Sequence, residues 1–269
     1  MKAFVTGGTG LLGINLIRAL RWEGHRVKAL VRSMEKAGRV LNDTGISYVA
    51  GDMRNVDAWA NELQGCDAVF HAASSRSTDL HQTNVKGTVH LLLQAQRHRV
   101  SKAVYFSSAL LQENPADDAV RRYVFHNDYP VTTIQPGWML GPGDVSRNPA
   151  GQLIERLIRQ MPVDLGGAAN LVDARDVALG ALSAAAPEHD GHTYLLGGHY
   201  APFSELVCES LPAPRGSLLT HLFRKSLSGA KVSSALGLER LQLSFRPLEE
   251  TVRDTVDWYL QRDGESMVA

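Results

Sequence analysis

Three glycines near the start of the chain have a spacing that suits phosphate binding. Gly7, Gly10 and Gly13 lie in the stretch TGGTGLLG, a G-x-x-G-x-x-G pattern that follows an apolar run and opens a helical pattern. Glycine is costly in the first turn of a helix, so its repeated use indicates a need for bare backbone. Gly7 permits a tight turn, Gly10 lets a pyrophosphate approach, and Gly13 lets helix and strand pack closely.

In this context the glycines predict a dinucleotide site rather than a merely flexible turn. The N–H groups in the first turn of the helix would face the phosphates, where the helix dipole favours an anion. The residues of this segment that we expect to bind the cofactor are Gly7, Gly8, Thr9, Gly10, Leu11, Leu12 and Gly13.

The residues after the second and third predicted strands bear on which dinucleotide is bound. Arg32 stands where an NAD site places a carboxylate on the ribose 2′-hydroxyl, and a cation there suits the 2′-phosphate of NADP. Ser33 is a further donor, so we predict NADP, with NAD as the alternative and a solvated Arg32 as the competing interpretation. Asp52, followed by Met53, is placed to accept from the adenine amine, or it caps the following helix.

The first half of the chain alternates short apolar runs with helical patterns. The runs are rich in Val, Ile and aromatic residues and predict strands at 2–7, 26–32, 46–51, 66–73, 102–108 and 130–137. This alternation predicts an α/β fold with a doubly wound parallel sheet. We place this dinucleotide-binding domain at residues 1–144.

Residues 145–269 lack the regular alternation of strands and helices. They predict a smaller lobe, interleaved with the first domain, that binds the substrate. Helices are predicted at 151–160, at 170–186 with Asp173 or Asp176 as its cap, after Ser204, and at 247–262. A strand is predicted at 192–198.

Composition excludes several classes of function. The 28 basic residues balance the 28 acidic ones, so no global field favours nucleic acid or an anionic membrane. Cys66 and Cys208 lie far apart without C-x-x-C spacing, which argues against a disulfide framework or a zinc site. We therefore predict a cytoplasmic protein with a small-molecule substrate and no metal, and a homodimer is compatible with the sequence.

Eight motifs, taken in order, resemble the extended short-chain dehydrogenases/reductases. They are TGGTGLLG, GDMRN, VFHAAS, TNVKGT, VYFSS, QPGWMLGPGD, LVDARDVA and RPLEETVRDTVDWY. The most similar groups are the NAD-dependent epimerase/dehydratases and the dihydroflavonol-reductase-like enzymes. The resemblance implies a Rossmann domain that carries NAD(P) and a C-terminal lobe that binds a sugar nucleotide or a hydrophobic carbonyl or alcohol.

The same resemblance assigns site residues. It places Ala72 and Ala73 beside the cofactor ribose, and Pro136 and Gly137 beside the nicotinamide. Asn84 is interpreted as a tie between a helix and a strand rather than as a catalyst.

Two serines end the fifth predicted strand. Because Ser107 and Ser108 alternate between faces, only one hydroxyl can point at the nicotinamide, and the resemblance selects Ser108 as the catalytic serine. Ser107 is expected to border the cofactor.

The catalytic tyrosine and lysine of this family have no counterpart between Ser108 and Pro130. In the family, the tyrosine moves a proton while a lysine four residues later lowers its pKa. Here the stretch ADDAVRRYVFHND resembles only the part of that helix after the lysine. Tyr123 is followed four residues on by Asn127, so we expect it to pack rather than to react.

Three explanations remain open for the missing pair. A natural deletion would leave a dinucleotide-binding protein or an enzyme with unusual acid–base groups; the deletion could be engineered; or a segment of the intact protein is absent from the 269 residues. A second contraction, near Cys208, favours the last. The main hypothesis is an NAD(P)-dependent oxidoreductase or epimerase/dehydratase, and the alternative is a catalytically silent redox sensor or assembly partner.

Overall fold

A computed structural model describes residues 1–41, 45–75, 81–109, 114–161, 163, 165–206 and 230–268. The strands are β1 (Lys2–Thr6), β2 (Arg26–Val31), β3 (Ile46–Ala50), β4 (Ala68–His71), β5 (Lys102–Phe106), β6 (Val131–Pro136), β7 (Trp138–Leu140), β8 (Ala168–Asp173), β9 (Thr193–Leu196) and β10 (His199–Pro202). Seven of them form a parallel sheet in the order β3-β2-β1-β4-β5-β6-β9. The predicted doubly wound α/β fold is confirmed.

Helices cover both faces of this sheet. They are α1 (Leu11–Trp22), α2 (Met34–Leu41), α3 (Gly87–Arg97), α4 (Pro115–Asn127), α5 (Pro149–Ile158), α6 (Ala174–Ser183), α7 (Ala235–Arg240) and α8 (Leu248–Val268). A π-helical turn, His81–Lys86, leads directly into α3.

The strands are apolar almost throughout because the sheet is buried on both faces. Val5 packs in one core cluster with residues of α1 and α6, whereas its neighbour Phe4 packs in a second cluster with residues of α3 and α4. Successive side chains of β1 thus enter opposite layers, as the pleat of a strand requires.

A smaller three-stranded sheet, in the order β10-β8-β7, lies beside the main one. It forms a third core cluster with α5 and α8. This sheet begins at Trp138, on the N-terminal side of the boundary that the sequence predicts at residue 145. The chain then returns to the main sheet, where β9 pairs with β6.

The predicted helix at 170–186 is wrong in its first part. Residues Ala168–Asp173 form β8, the central strand of the smaller sheet, and α6 starts only at Ala174. Asp173 marks the change because its carboxylate accepts from the backbone N–H of Arg175 at 2.8 Å as the helix cap. After Ser204 only the short 3₁₀ turn Phe203–Leu206 belongs to the described residues, so the rest of that predicted helix lies outside them.

Candidate dinucleotide-binding site

The glycine turn between β1 and α1 has little room for side chains at two of its three glycines. A Cβ on Gly7, whose φ is +71°, would lie 2.6 Å from the Ala72 carbonyl oxygen. A Cβ on Gly13 would lie 2.1 Å from the Gly7 carbonyl oxygen. At Gly10 a Cβ would meet protein only at 3.4 Å, so the outer side of the turn is open. The turn is therefore a backbone cradle for a group that approaches over Gly10.

No side chain caps the first turn of α1. Gly10 is the N-cap residue and has no side chain to offer, while the side chains of Leu11 and Leu12 are buried in the protein. A Cβ on Gly8 would lie 3.0 Å from Ile17 Cδ1, and Thr9 is half-buried. The residues present fit a pyrophosphate, because backbone N–H groups and the positive end of the helix dipole remain directed at the cradle.

The adenosine end of the predicted site carries two arginines. Arg32 and Ser33 are exposed directly after β2, and the Ser33 hydroxyl oxygen accepts from the Lys36 backbone N–H at 3.2 Å. Asp52, after β3, is clamped by Arg54 through bonds of 3.0 Å from Nε and 2.9 Å from Nη2. The hydrogen bonds from Arg54, more than the field of Arg32, lower the pKa of Asp52.

Neither sequence interpretation of Asp52 describes this contact, and sequence reasoning overlooked Arg54. Asp52 also accepts from the Arg54 backbone N–H at 2.8 Å, whereas the N-cap of the following 3₁₀ turn is Asn55. The signal was the spacing in GDMRN, which places a guanidinium two residues after the carboxylate. The Met53 side chain is buried in the core, so any cofactor contact at this position falls to its backbone.

A buried histidine joins three elements below the glycine turn. Nδ1 of His71 lies 2.7 Å from the Thr6 hydroxyl and Nε2 lies 2.8 Å from the Thr88 hydroxyl. The Thr88 hydroxyl donates to the Asn84 carbonyl, and Thr6 Oγ1 accepts from the Ala73 N–H. These bonds assign the proton to Nε2, because Thr88 must accept from the ring while Thr6 donates to it. The network fixes the ends of β1 and β4 against the start of α3.

Asn84 has the structural role expected from the sequence. Its side-chain amide accepts from the Ser75 N–H at 2.8 Å and donates to the Ser75 carbonyl at 2.9 Å. It therefore ties the helical segment to the chain that follows β4.

Burial of His71 predicts a loss of stability in acid. Burial lowers the pKa of its imidazole from 6.5 to about 4, so the unfolded chain takes up a proton more readily than the folded one. The stability that the neutral ring contributes is present above pH 6.5 and is lost as the pH falls from there through 4, up to about 3 kcal/mol. Urea unfolding between pH 4 and 7 measures this slope.

The variant His71→Gln is expected to flatten that slope, and His81→Gln, at an exposed position before α3, is the matched control. An equal slope in wild type and His71→Gln would contradict the assignment.

The two serines after β5 have different surroundings. The Ser107 hydroxyl donates to Asp117 Oδ2 at 2.5 Å and thus points towards α4. Ser108 follows it, half-buried at the sheet edge, and the next N–H, that of Ala109, donates to the Pro136 carbonyl at 2.9 Å. Ser108 therefore lies where the end of β5 runs beside the end of β6. Asp117, which the sequence did not single out, brings a carboxylate to this edge.

Gly137 is enclosed by backbone at the junction of the two sheets. A Cβ there would lie 2.4 Å from the Gly197 carbonyl oxygen and 2.5 Å from that of Asn170. Its own N–H donates to Leu196 at 3.1 Å. Pro136 ends β6, and Gly137 follows it directly at the carboxyl end of that strand.

The predicted site residues follow the carboxyl ends of β1 to β6, which a parallel sheet brings to one edge. The strand order reverses between β1 and β4, where Gly7 contacts Ala72 and Ala73. Crevices at such a reversal bind nucleotides in open α/β sheets. Tyr123 is buried, and its hydroxyl donates to Gln96 Oε1 at 2.6 Å. It packs within the protein, as the sequence predicts.

Two further properties concern only the described part of the chain. It holds no group of three or more histidine, cysteine, aspartate or glutamate residues arranged to bind a metal. None of its helices combines the length and apolar character that a membrane crossing requires.

Comparison with known proteins agrees with this geometry. Residues 7–140 match the model of the NAD(P)H-binding family. A Synechocystis sp. protein named as a dihydroflavonol 4-reductase is 29% identical, over 80% of this chain and 74% of its own.

Two solved structures, both under 25% identical, share the fold over nearly their whole length. The yeast methylglyoxal/isovaleraldehyde reductase Gre2, complexed with NADPH, has a TM-score of 0.79 at 20% identity and covers 98% of this chain and 99% of its own. UDP-glucuronic acid 4-epimerase from Bacillus cereus, complexed with NAD, has a TM-score of 0.82 at 18% identity, covering 97% and 99%.

The fold and the glycine cradle define a Rossmann-type protein that binds NAD(P). Within that class, residues 7–140 carry an NAD(P)H-binding domain, and the chain is similar to a relative named as a dihydroflavonol 4-reductase.

Proposed function

We propose that this protein binds NADP(H) on the Gly7–Gly13 turn and interconverts a carbonyl and an alcohol on a small organic substrate or a sugar nucleotide. The observation that supports this proposal is the backbone cradle formed by the glycine turn between β1 and α1. Backbone crowds Gly7 and Gly13, whereas the outer side of Gly10 stays open beneath an uncapped helix. The direct test is titration of the wild-type protein with NADPH and NADH, and absence of binding to either would reject the proposal.

The charges after β2 and β3 favour the phosphorylated cofactor. Arg32 lies close enough to contribute to the field at Asp52, and Arg54 lies on that same carboxylate. Two cations beside one carboxylate leave net positive charge where a ribose 2′-phosphate would lie, and guanidinium groups bind phosphate strongly.

Arg32→Asp is expected to weaken NADPH binding by about 1–3 kcal/mol, roughly 5- to 150-fold, with little effect on NADH. Arg26→Asp is the matched control, because Arg26 is exposed at the opposite end of the same strand. Calorimetric titration with both cofactors gives the ratio of dissociation constants, and an unchanged ratio in Arg32→Asp would place Arg32 outside the cofactor site.

Ser108 is the residue that we assign to the substrate oxygen. When bound, the nicotinamide supplies or accepts the hydride at the substrate carbon. In this proposal the Ser108 hydroxyl donates a hydrogen bond to the substrate oxygen as charge develops on it. The proton that this oxygen gains must come from an acid, and in the family that acid is the tyrosine that has no counterpart between Ser108 and Pro130.

A silent dinucleotide-binding protein is the second candidate, and the absent tyrosine–lysine pair is what favours it. One relative has residues that this chain lacks, as a natural deletion and an absent segment both predict. The match to the Synechocystis protein runs over 257 positions, which is more than the 80% of this 269-residue chain that it covers, so the relative carries residues without counterpart here.

Two measurements separate the candidates. The intact mass of the natural protein, compared with 29.3 kDa, shows whether a segment is absent. A screen for NADPH consumption over carbonyl compounds and nucleotide sugars shows whether the protein turns over. Turnover supports the enzyme; binding without turnover, at a mass of 29.3 kDa, supports the silent protein.

A further inference from the structure

A single carboxylate links the ends of the two strands that border the predicted nicotinamide position. Asp117, 7% exposed, lies in the first turn of α4. Its Oδ2 accepts from the Ser107 hydroxyl at 2.5 Å and from Gln135 Nε2 at 3.3 Å. Ser107 directly precedes Ser108, and Gln135 directly precedes Pro136. The carboxylate therefore spans from the serine strand to the strand that leads into the Pro136–Gly137 turn.

The second carboxylate oxygen of Asp117 also accepts two hydrogen bonds. Oδ1 accepts from the Tyr105 hydroxyl at 2.9 Å and from Asn114 Nδ2 at 2.8 Å. Tyr105 is buried on β5, and both its burial and the charge of Asp117 raise the pKa of its phenol, so it remains a donor. Asn114 is the N-cap of α4 and also donates to Ser107 Oγ at 3.1 Å. Asp117 and its four donors form a cluster that joins β5, β6 and the start of α4. The donors are Tyr105, Ser107, Asn114 and Gln135.

The chemistry of the cluster calls for a carboxylate rather than an amide. Four donors converge on two acceptor oxygens, and the N-terminus of α4 adds a positive dipole. An asparagine at this position presents an NH₂ group to one of the two donor pairs, because only one of its terminal atoms accepts. Asp117→Asn removes the charge and keeps the shape of the side chain. It therefore breaks the hydrogen bonds to one of the two donor pairs.

We propose that Asp117 is a positioning residue that holds Ser108 and the Pro136–Gly137 turn in register for the nicotinamide. This inference rests on the proposed function, since it assumes that the cofactor lies across this edge of the sheet. Asp117 acts through Ser107, which precedes Ser108 and is itself expected to border the cofactor, and through Gln135, which precedes Pro136. The adenosine and pyrophosphate contacts lie on β1 to β3, away from this cluster, so their contribution to affinity is independent of it.

The test compares Asp117→Asn with wild type in two readouts of NADPH binding. Calorimetry reports affinity, which is expected to stay within a few-fold of wild type. Fluorescence anisotropy of the bound nicotinamide reports its order and is expected to fall towards the value of free NADPH. If the protein turns over, kcat is expected to fall by roughly 10- to 100-fold with KM for NADPH little changed, since small misplacements at a reacting centre are costly.

Asp118→Asn is the matched control, because Asp118 is the adjacent residue but is exposed and pairs with Arg121. It is expected to match wild type in both readouts. If Asp117→Asn does not fold, as judged by circular dichroism, Ser107→Ala replaces it. That change removes one donor, leaves the carboxylate with three, and is expected to lower the anisotropy by a smaller amount.

Several outcomes would overturn the inference. Wild-type anisotropy in the folded variant would show that Asp117 does not order the nicotinamide. An equal loss of affinity and anisotropy would show a general weakening of the fold. Failure of the wild-type protein to bind NADPH and NADH would reject the proposed function and this inference with it, and the wild-type titration alone distinguishes that case.

Discussion

Gly10→Val is expected to weaken NADPH binding strongly while the protein remains folded. Gly10 has φ −91° and ψ 167°, an extended conformation that β-branched residues adopt readily. Its new Cβ would contact only the Gly7 carbonyl oxygen, at 3.4 Å, so the fold has room for it. The two methyl groups would fill the outer side of the turn, where the pyrophosphate is proposed to lie. Loss of that contact should weaken binding on the order of 100-fold or more, about 3 kcal/mol.

Gly38→Val provides the matched control for this experiment. Gly38 lies in α2, and a Cβ there would meet no atom within 4 Å. The control carries the same change of side chain at a distance from the cradle, so NADPH affinity should equal that of wild type. Gly13→Val is unsuitable, because its Cβ would lie 2.1 Å from backbone and would disturb the fold itself. Equal affinity in Gly10→Val and wild type would remove the pyrophosphate from this turn.

The parts of the fold that the sequence predicts are those with local signals. Apolar runs identified β1 to β6 because a sheet buried on both faces needs nearly continuous apolar strands. The cradle could also be predicted, because Gly7 and Gly13 need bare backbone for the tight turn and for the close packing of the turn against neighbouring backbone. Arg32 and Ser33 follow β2 at the expected position.

The features that escaped prediction depend on contacts between residues far apart in the sequence. The sequence predicts a helix where β8 lies, because the strand character of β8 comes from pairing with β7 and β10, which are short and carry weak local patterns. The roles of His71 and Asp117 depend on partners from several elements. Asp117 in particular resembled an ordinary acidic residue in the first turn of a helix, a position that the helix dipole favours anyway.

Ser108→Ala is the change with the largest expected effect on catalysis. Ser108 follows β5 at the carboxyl edge of the sheet, and the adjacent Ala109 N–H bonds to Pro136 beside the proposed nicotinamide position. Removal of the hydroxyl removes a donor to the substrate oxygen when charge develops on it, for which a loss of roughly 10²–10³ in kcat is expected. NADPH affinity should remain nearly unchanged, because the cofactor is held mainly through the cradle and the adenosine end.

The control for Ser108→Ala is Ser101→Ala, which makes the same change at an exposed residue just before β5, at the opposite edge of the sheet. Both variants are compared with wild type in the NADPH-consumption screen, with the affinity for NADPH measured in parallel. Turnover that survives Ser108→Ala undiminished would reject the catalytic assignment of Ser108. Binding of NADPH without turnover in wild type and in both variants would instead favour the silent dinucleotide-binding protein. In that protein, loss of the Ser108 hydroxyl should change affinity by no more than a few-fold, because no charge develops for it to stabilise.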